Sequence, residues 1–126
     1  DGRLIGHIGI VFRVIRMGEK LVPIFGLADV ATAPDKEGRG VASELLRETV
    51  RIAKDSQAAF ILLFGDHPIY EKRGFMRVAN TLRYLRIEGS RSEEIVTMPT
   101  KALHIMAVAD QPWDDKAEID LLGYIF

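Results

Sequence analysis

The first quarter of the chain holds two mainly apolar segments with a short polar segment between them. Residues 4–15 (LIGHIGIVFRVI) and 21–32 are rich in β-branched and aromatic side chains, and residues 16–20 between them are typical of a turn. We therefore predict an antiparallel hairpin of two strands. Pro34 should end the second strand, because proline has no N–H to donate to a sheet ladder.

A helical period begins at Gly40 and continues to about Lys54. Six residues three or four apart would form its apolar face: Ala42, Leu45, Leu46, Thr49, Ile52 and Ala53. The next apolar run, residues 58–64 (AAFILLF), has no polar position, as expected of a strand buried on both faces. A strand, a helix and a strand in this order form a βαβ unit, so we predict that residues 27–32 and 58–64 are parallel neighbours.

Shorter segments follow in the second half of the chain. They are a short helix over residues 67–73 closed by Gly74, a strand over 77–88, a loop over 89–100, and strands over 103–109 and 121–126. No internal repeat or change of composition marks a second domain. We predict one domain over residues 1–126, with an α/β (α+β) fold built on a mixed sheet.

Composition excludes several classes of protein. With 126 residues and 48% hydrophobic residues, the chain suits a globular domain. Its lack of cysteine excludes thiolate nucleophiles and disulfides and is typical of the reducing cytoplasm, where we place it. No apolar run is long enough to cross a membrane, and a net charge of −1 argues against nucleic-acid binding. The three histidines show no metal-ligand spacing, so we predict no metal site.

Two glycines stand at the start of the predicted helix, in Glu37-Gly38-Arg39-Gly40-Val41-Ala42. This segment lacks the Gly-Lys-Ser/Thr ending of a P-loop, and Ser43 replaces the third glycine of a dinucleotide fingerprint. A third design turns successive backbone N–H groups toward a pyrophosphate at a helix N-terminus. The alternative is an ordinary entry into a helix.

A second motif, Tyr70-Glu71-Lys72-Arg73-Gly74-Phe75, follows the next predicted strand. Together the two motifs resemble those of the GNAT superfamily of acetyl-CoA-dependent N-acetyltransferases, whose pyrophosphate loop is Arg/Gln-x-x-Gly-x-Gly/Ala. The resemblance implies the GNAT acyl-CoA N-acyltransferase fold over nearly the whole chain, lacking the family's first strand and first two helices. Glu37 departs from the family pattern, which has Arg or Gln at this position.

The resemblance implies a coenzyme site and a general acid, and the positions of two aspartates make them candidates for the base. Acetyl-CoA would be bound, mainly through backbone groups, by Val30, Ala31, Thr32, Glu37, Gly38, Arg39, Gly40, Val41 and Ala42. Tyr70 resembles the family's general acid. Its unperturbed pKa would keep it protonated at neutral pH and let it donate a proton to a departing thiolate. Asp29 is the first candidate for the base that deprotonates the amine, and Asp66 is the second.

Three segments, GHIGIVFRVIRMGEKL, FGLADVATAP and AEIDLLGYIF, are similar to those of the aminoglycoside 2′-N-acetyltransferases. This similarity implies a small-molecule amine acceptor bordered by Ala28, Asp29, Phe64 and Gly65. Without cysteine, direct attack in a ternary complex is favoured over an acyl-enzyme. Two alternatives stay open: a non-catalytic acyl-CoA-binding module, and an N-acetyltransferase that acts on a protein or peptide amine. Open strand edges would favour a homodimer.

Overall fold

The computed structural model describes residues 2–126 and begins with the predicted hairpin. Strand β1 (Gly6–Met17) pairs antiparallel with strand β2 (Lys20–Thr32) along almost their whole length. The turn between them needs Gly18, which has a φ of 61° in the left-handed region. The hairpin is confirmed, and β1 lies two residues further along the chain than its pattern predicted.

The predicted βαβ unit is also confirmed. A 3-10 turn (Pro34–Lys36) leads from β2 to helix α1 (Val41–Lys54), and strand β3 (Phe60–Phe64) lies parallel to β2. The part of β2 that pairs lies earlier than the predicted residues 27–32, because Ile24 faces Phe60 and Leu27 faces Leu63. Beyond Leu27, β2 continues to Thr32 without pairing to β3, and this leaves a gap between the two strands.

The remaining elements complete a single eight-stranded mixed sheet in the order β4-β7-β3-β2-β1-β8-β5-β6. They are helix α2 (Ile69–Lys72) and strands β4 (Met76–Arg77), β5 (Thr81–Glu88), β6 (Arg91–Pro99), β7 (Leu103–Ala107) and β8 (Ile119–Tyr124). The short helix before Gly74 and the last two strands are confirmed, and so is the mixed sheet.

The prediction of a loop over residues 89–100 is wrong. Gly89 and Ser90 form a tight turn, and β6 returns antiparallel to β5, with Val96 opposite Tyr84 and Ile95 opposite Leu85. Polar and charged residues in this segment resembled a loop because β6 is an edge strand that is exposed along most of its length. Pairing with β5, which only the fold provides, makes it a strand.

The strand predicted over residues 77–88 is interrupted between β4 and β5. Asn80 is buried there, and its side-chain amide donates hydrogen bonds to the carbonyls of Asp114 (2.8 Å) and Ala117 (2.9 Å). Its carbonyl oxygen accepts a third bond, from the indole N–H of Trp113 at 3.0 Å. These hydrogen bonds attach residues 113–117, which follow β7, to the buried side chain of Asn80. The backbone around Asn80 leaves the sheet to make them.

Alternation along β2 and β3 places one apolar cluster on each face of the sheet. One cluster contains Ile24, Phe60 and Leu62, and the other contains Phe25, Leu27, Ile61 and Leu63 under α1. Helix α1 packs through Leu46, Thr49 and Ala53, as its period predicted. Ile52 is an exception with 40% exposure, and Val50 is half-buried in its place.

Candidate functional site

The glycine loop has a backbone conformation that only glycine adopts without strain. Gly38 and Gly40 both have a φ of 78°, and Gly40 is the N-cap residue of α1. A Cβ atom at either position would meet no heavy atom within 4 Å. The two glycines are therefore required by backbone geometry, and the space above them is open to a ligand.

The first turn of α1 presents backbone amides that the helix itself does not use. The Glu44 amide donates to the Gly40 carbonyl at 3.0 Å, and the amides of Val41, Ala42 and Ser43 precede that bond. No side chain caps Gly40 within the part of the chain that the structure describes. The free amides and the helix dipole both favour an anion at this position.

A cavity of about 540 Å³ extends from this turn to α2. It is lined by Val30, Ala31 and Thr32 of β2, by Lys36, Glu37, Gly38, Gly40, Val41, Ala42 and Ser43, and by His67, Ile69 and Tyr70. These residues include Tyr70 and every predicted coenzyme-binding residue except Arg39, which lines a neighbouring hollow with Leu4 and Glu44. The cavity lies along the part of β2 that has no partner in β3.

Sequence reasoning missed four of these lining residues, Lys36, Ser43, His67 and Ile69, and the two with side-chain contacts in the site are Ser43 and His67. Ser43 immediately follows the matched loop motif, and His67 lies in the segment before α2, so neither belongs to the motif pattern. Their contribution depends on how the two helices approach each other. Position next to a motif was the only available signal.

A β-bulge in β2 lies at the edge of the cavity. The register shifts between His7 and Gly9 of β1, which face Ala31 and Ala28, so that Asp29 and Val30 together oppose Ile8. Asp29 has a φ of 53°, and its carbonyl accepts a hydrogen bond from Nδ1 of His7 at 3.0 Å. A bulge removes backbone groups from the ladder, and bulges are common next to active sites. An aspartate tolerates left-handed φ better than most residues, so this was a signal in the sequence.

Tyr70 lies at the far end of the cavity, on α2. It is 9% exposed, and its ring contacts the rings of Phe75 and His104, with centroids 6.3 and 6.0 Å away. Its hydroxyl forms no hydrogen bond to any described residue. Among residues 2–126 every fully buried polar side-chain atom has a hydrogen-bond partner, so the Tyr70 hydroxyl is not fully buried. The hydroxyl therefore remains accessible from the cavity. Burial raises the pKa of Tyr70 above its ordinary value, which keeps the phenol protonated.

Side-chain hydrogen bonds fix the short helix that carries Tyr70. At its start the Ile69 amide donates to Nδ1 of His67 at 3.1 Å. At its end Nε of Arg73 donates to Oγ of Ser43 at 3.1 Å, which joins α2 to the first turn of α1. A helix of four residues has little stability of its own, so these contacts determine where Tyr70 lies.

The predicted acceptor residues do not line this cavity. Asp29 lies on the bulge and Ala28 directly before it, and neither lines the cavity. Phe64 packs against Phe126, with ring centroids 5.5 Å apart. The amide of Gly65 donates to the Ala102 carbonyl at 2.9 Å. Asp66, the second candidate base, forms a 3.2 Å ion pair with Arg77. The structure thus brings eight of the nine predicted coenzyme-binding residues together with Tyr70, and their roles, like those of the acceptor and base candidates, remain predictions.

Within residues 2–126, no group of three or more His, Asp or Glu side chains could hold a metal ion. None of the helices that the structure describes is long and apolar enough to cross a bilayer.

The first 78 of the 126 residues show to which family the chain belongs. A sequence model of the acetyltransferase (GNAT) domain matches residues 1–78, which include β1, β2, the glycine loop and α2. The chain belongs to the GNAT acetyltransferase family. No curated protein sequence matches it.

Solved structures confirm the fold. A GNAT family acetyltransferase from Brucella melitensis, in complex with acetyl-CoA, matches 94% of this chain with a TM-score of 0.62 and 20% identity. The GNAT family N-acetyltransferase YhbS from Escherichia coli, in complex with CoA, matches 95% with a TM-score of 0.67 and 19% identity. Eis1 from Mycobacterium abscessus matches 65% with a TM-score of 0.59. This chain spans 59% and 61% of the first two proteins.

Proposed function

We propose that this chain binds acetyl-CoA and transfers its acetyl group to a primary amine of a small molecule. The observation that carries the proposal is a single cavity that joins the free amides of α1 to the hydroxyl of Tyr70. The first feature suits a diphosphate, and the second is a proton donor on the same cavity. The B. melitensis and E. coli structures hold acetyl-CoA and CoA, which supports the same coenzyme here.

The residues present fit this coenzyme. The amides of Val41, Ala42 and Ser43 would hold the diphosphate over the open space left by Gly38 and Gly40. The backbone of residues 30–32, unpaired on the β3 side, would bind the amide-containing arm as an added strand. A backbone N–H at the bulge, near Val30, would then stabilise negative charge on the thioester oxygen.

The proposed reaction needs one acid and one base. The amine nitrogen attacks the thioester carbonyl carbon, a C–N bond forms, and the C–S bond breaks. Tyr70 gives its phenolic proton to the departing thiolate sulfur and is reprotonated from solvent. The proton released by the amine goes to water or to Asp29, which is exposed beside the bulge. The steps therefore need only residues of this chain, the two substrates and solvent water.

The acceptor is proposed to be a small amine bordered by Ala28, Asp29, Phe64 and Gly65, on the similarity of three segments of this chain to the aminoglycoside 2′-N-acetyltransferases. The cavity itself accounts for the coenzyme and leaves the acceptor to be identified by a screen. Aminoglycosides belong in that screen because of the similarity of three segments. A cytoplasmic location, where acetyl-CoA is available, remains part of the proposal.

The decisive experiment is calorimetric titration of the chain with acetyl-CoA, with Gly40→Glu as the site variant. A side chain at Gly40 would fill the diphosphate space and add a negative charge, so binding should be lost. Gly89→Glu is the matched control, because Gly89 also has a positive φ (56°) and open space around it but lies in the distant β5–β6 turn.

Saturable binding that Gly40→Glu abolishes and Gly89→Glu preserves supports the coenzyme site. Equal binding by both variants would contradict it. Turnover is then measured with small primary amines, aminoglycosides and a lysine peptide. Turnover with the peptide and with no small amine would show that the acceptor is a peptide or protein amine. Binding of acetyl-CoA without turnover of any amine would show a non-catalytic acyl-CoA-binding module.

A further inference from the structure

A second groove continues from the cavity on the far side of Ser43, which lines both. It has a volume of about 300 Å³ and lies between α1 and the segment that follows α2. Its apolar residues are Leu46, Val50, Phe75 and Met106, and its charged residues are Arg47, Lys54 and Arg73. The groove therefore combines an apolar floor with cations and has no carboxylate in its lining.

The three cations are not equally available. Arg47 is paired with Glu44 at 2.8 Å, one turn before it on α1. Neither Arg73 nor Lys54 forms an ion pair with any residue that the structure describes. Nε of Arg73 donates to Oγ of Ser43, which holds the guanidinium at the junction of the two spaces and leaves its terminal nitrogens for a ligand.

Helix geometry separates Arg73 from Lys54. Lys54 is eleven residues beyond Ser43, about 16 Å along the axis of α1, because an α-helix rises about 1.5 Å per residue. A phosphate on the ribose of a nucleotide is separated from the diphosphate by one sugar only. With the diphosphate at the first turn of α1, that phosphate can reach Arg73 but cannot reach Lys54.

We propose that this groove binds the nucleoside end of the acyl-CoA and that Arg73 binds its 3′-phosphate. The inference rests on the proposed coenzyme site and adds a determinant of specificity to it. A planar guanidinium forms paired, charge-assisted hydrogen bonds to a phosphate monoester, and Ser43 orients it for this contact. The apolar floor would contact the base. The chain would then select coenzymes with a phosphorylated ribose over dephosphorylated ones.

The test compares acetyl-CoA with acetyl-dephospho-CoA by calorimetry on the wild-type chain, Arg73→Met and Lys54→Met. Both substitutions remove one positive charge from an exposed groove side chain of similar length. We expect the wild type to bind acetyl-CoA about tenfold more tightly or better, since hydrogen bonds to charged groups are strong. Arg73→Met should reduce this ratio to below about threefold, and Lys54→Met should preserve it. Thermal melts establish that each variant is folded.

Arg73→Lys provides a second test that keeps the charge but loses the paired geometry, and it should retain only part of the selectivity. The inference is overturned if the wild type binds both coenzymes equally, or if Arg73→Met weakens both by the same factor. Either result leaves the diphosphate site intact, because both ligands still bind. Failure of the wild type to bind either ligand would instead overturn the coenzyme site itself.

Discussion

A Cβ atom on Gly65 would lie 3.0 Å from Cε2 of Tyr70 and 3.7 Å from its hydroxyl oxygen. Glycine at this position therefore allows Tyr70 to lie close to the end of β3. The contact joins two residues that sequence patterns placed in different roles, one at the acceptor and one as the acid. It also means that the position of the Tyr70 hydroxyl depends on the residue at 65.

We predict that Gly65→Ala moves the Tyr70 ring by a few tenths of an ångström and lowers kcat about tenfold, because proton transfer is sensitive to small displacements. The affinity for acetyl-CoA should stay within about twofold of wild type, since Gly65 does not line the coenzyme cavity. Gly123→Ala is the control, because a Cβ there has its nearest neighbour at 3.8 Å. Unchanged turnover in Gly65→Ala would argue against Tyr70 as the acid.

Tyr70→Phe should lower kcat at least about 100-fold, because it removes the proton donor and keeps the ring that packs on Phe75 and His104. Acetyl-CoA affinity should be nearly unchanged. Steady-state kinetics and calorimetry on the same preparation measure the two quantities. A variant that loses affinity and turnover by the same factor would show that Tyr70 binds the coenzyme and does not act as an acid.

The raised pKa of Tyr70 also predicts a pH dependence of stability. Burial raises the pKa in the folded state above its unfolded value, so the folded protein holds the phenolic proton more tightly. This contribution to the free energy of unfolding is present below the unfolded pKa, about 10, and is lost as pH rises through the folded pKa. Raising the pH above 10 should therefore lower the free energy of unfolding of the wild type more than that of Tyr70→Phe. Denaturant titrations at several pH values measure this difference.

Glu37→Gln should bind acetyl-CoA about fivefold more tightly than wild type. Glu37 lines the cavity beside the loop amides, and removing a nearby carboxylate relieves about 1 kcal/mol of repulsion with a bound diphosphate in a water-like dielectric. The gain should shrink as ionic strength rises. Glu93→Gln, on the distant edge strand β6, should leave the affinity unchanged. Weaker binding by Glu37→Gln would mean that its carboxylate accepts a hydrogen bond from the ligand.

Asn80→Ala should lower the free energy of unfolding by about 3 kcal/mol. The substitution leaves two backbone carbonyls and the indole N–H of Trp113 without their partner in a buried site. Urea denaturation measures the loss, and Gln57→Ala at an exposed position serves as the control. A loss below about 1 kcal/mol would show that water replaces the side chain.

The sequence by itself determined the elements whose signal is local. The hairpin follows from its β-branched and aromatic segments, α1 from a period of 3.6 residues and β3 from an unbroken apolar run, and each segment carries its signal within itself. The two motifs indicated the family, and glycine stands at positions 38 and 40 because the left-handed backbone there requires it whatever surrounds it.

Only the tertiary structure decided the features that depend on partners distant in the chain. β6 is a strand because β5 lies beside it, and Asn80 interrupts the sheet because Asp114 and Ala117 offer carbonyls to it. The end of pairing at Leu27 and the contact of Arg73 with Ser43 define the two spaces of the site. Each of these depends on the relative positions of two separate segments, and a local pattern of residues carries no information about such positions.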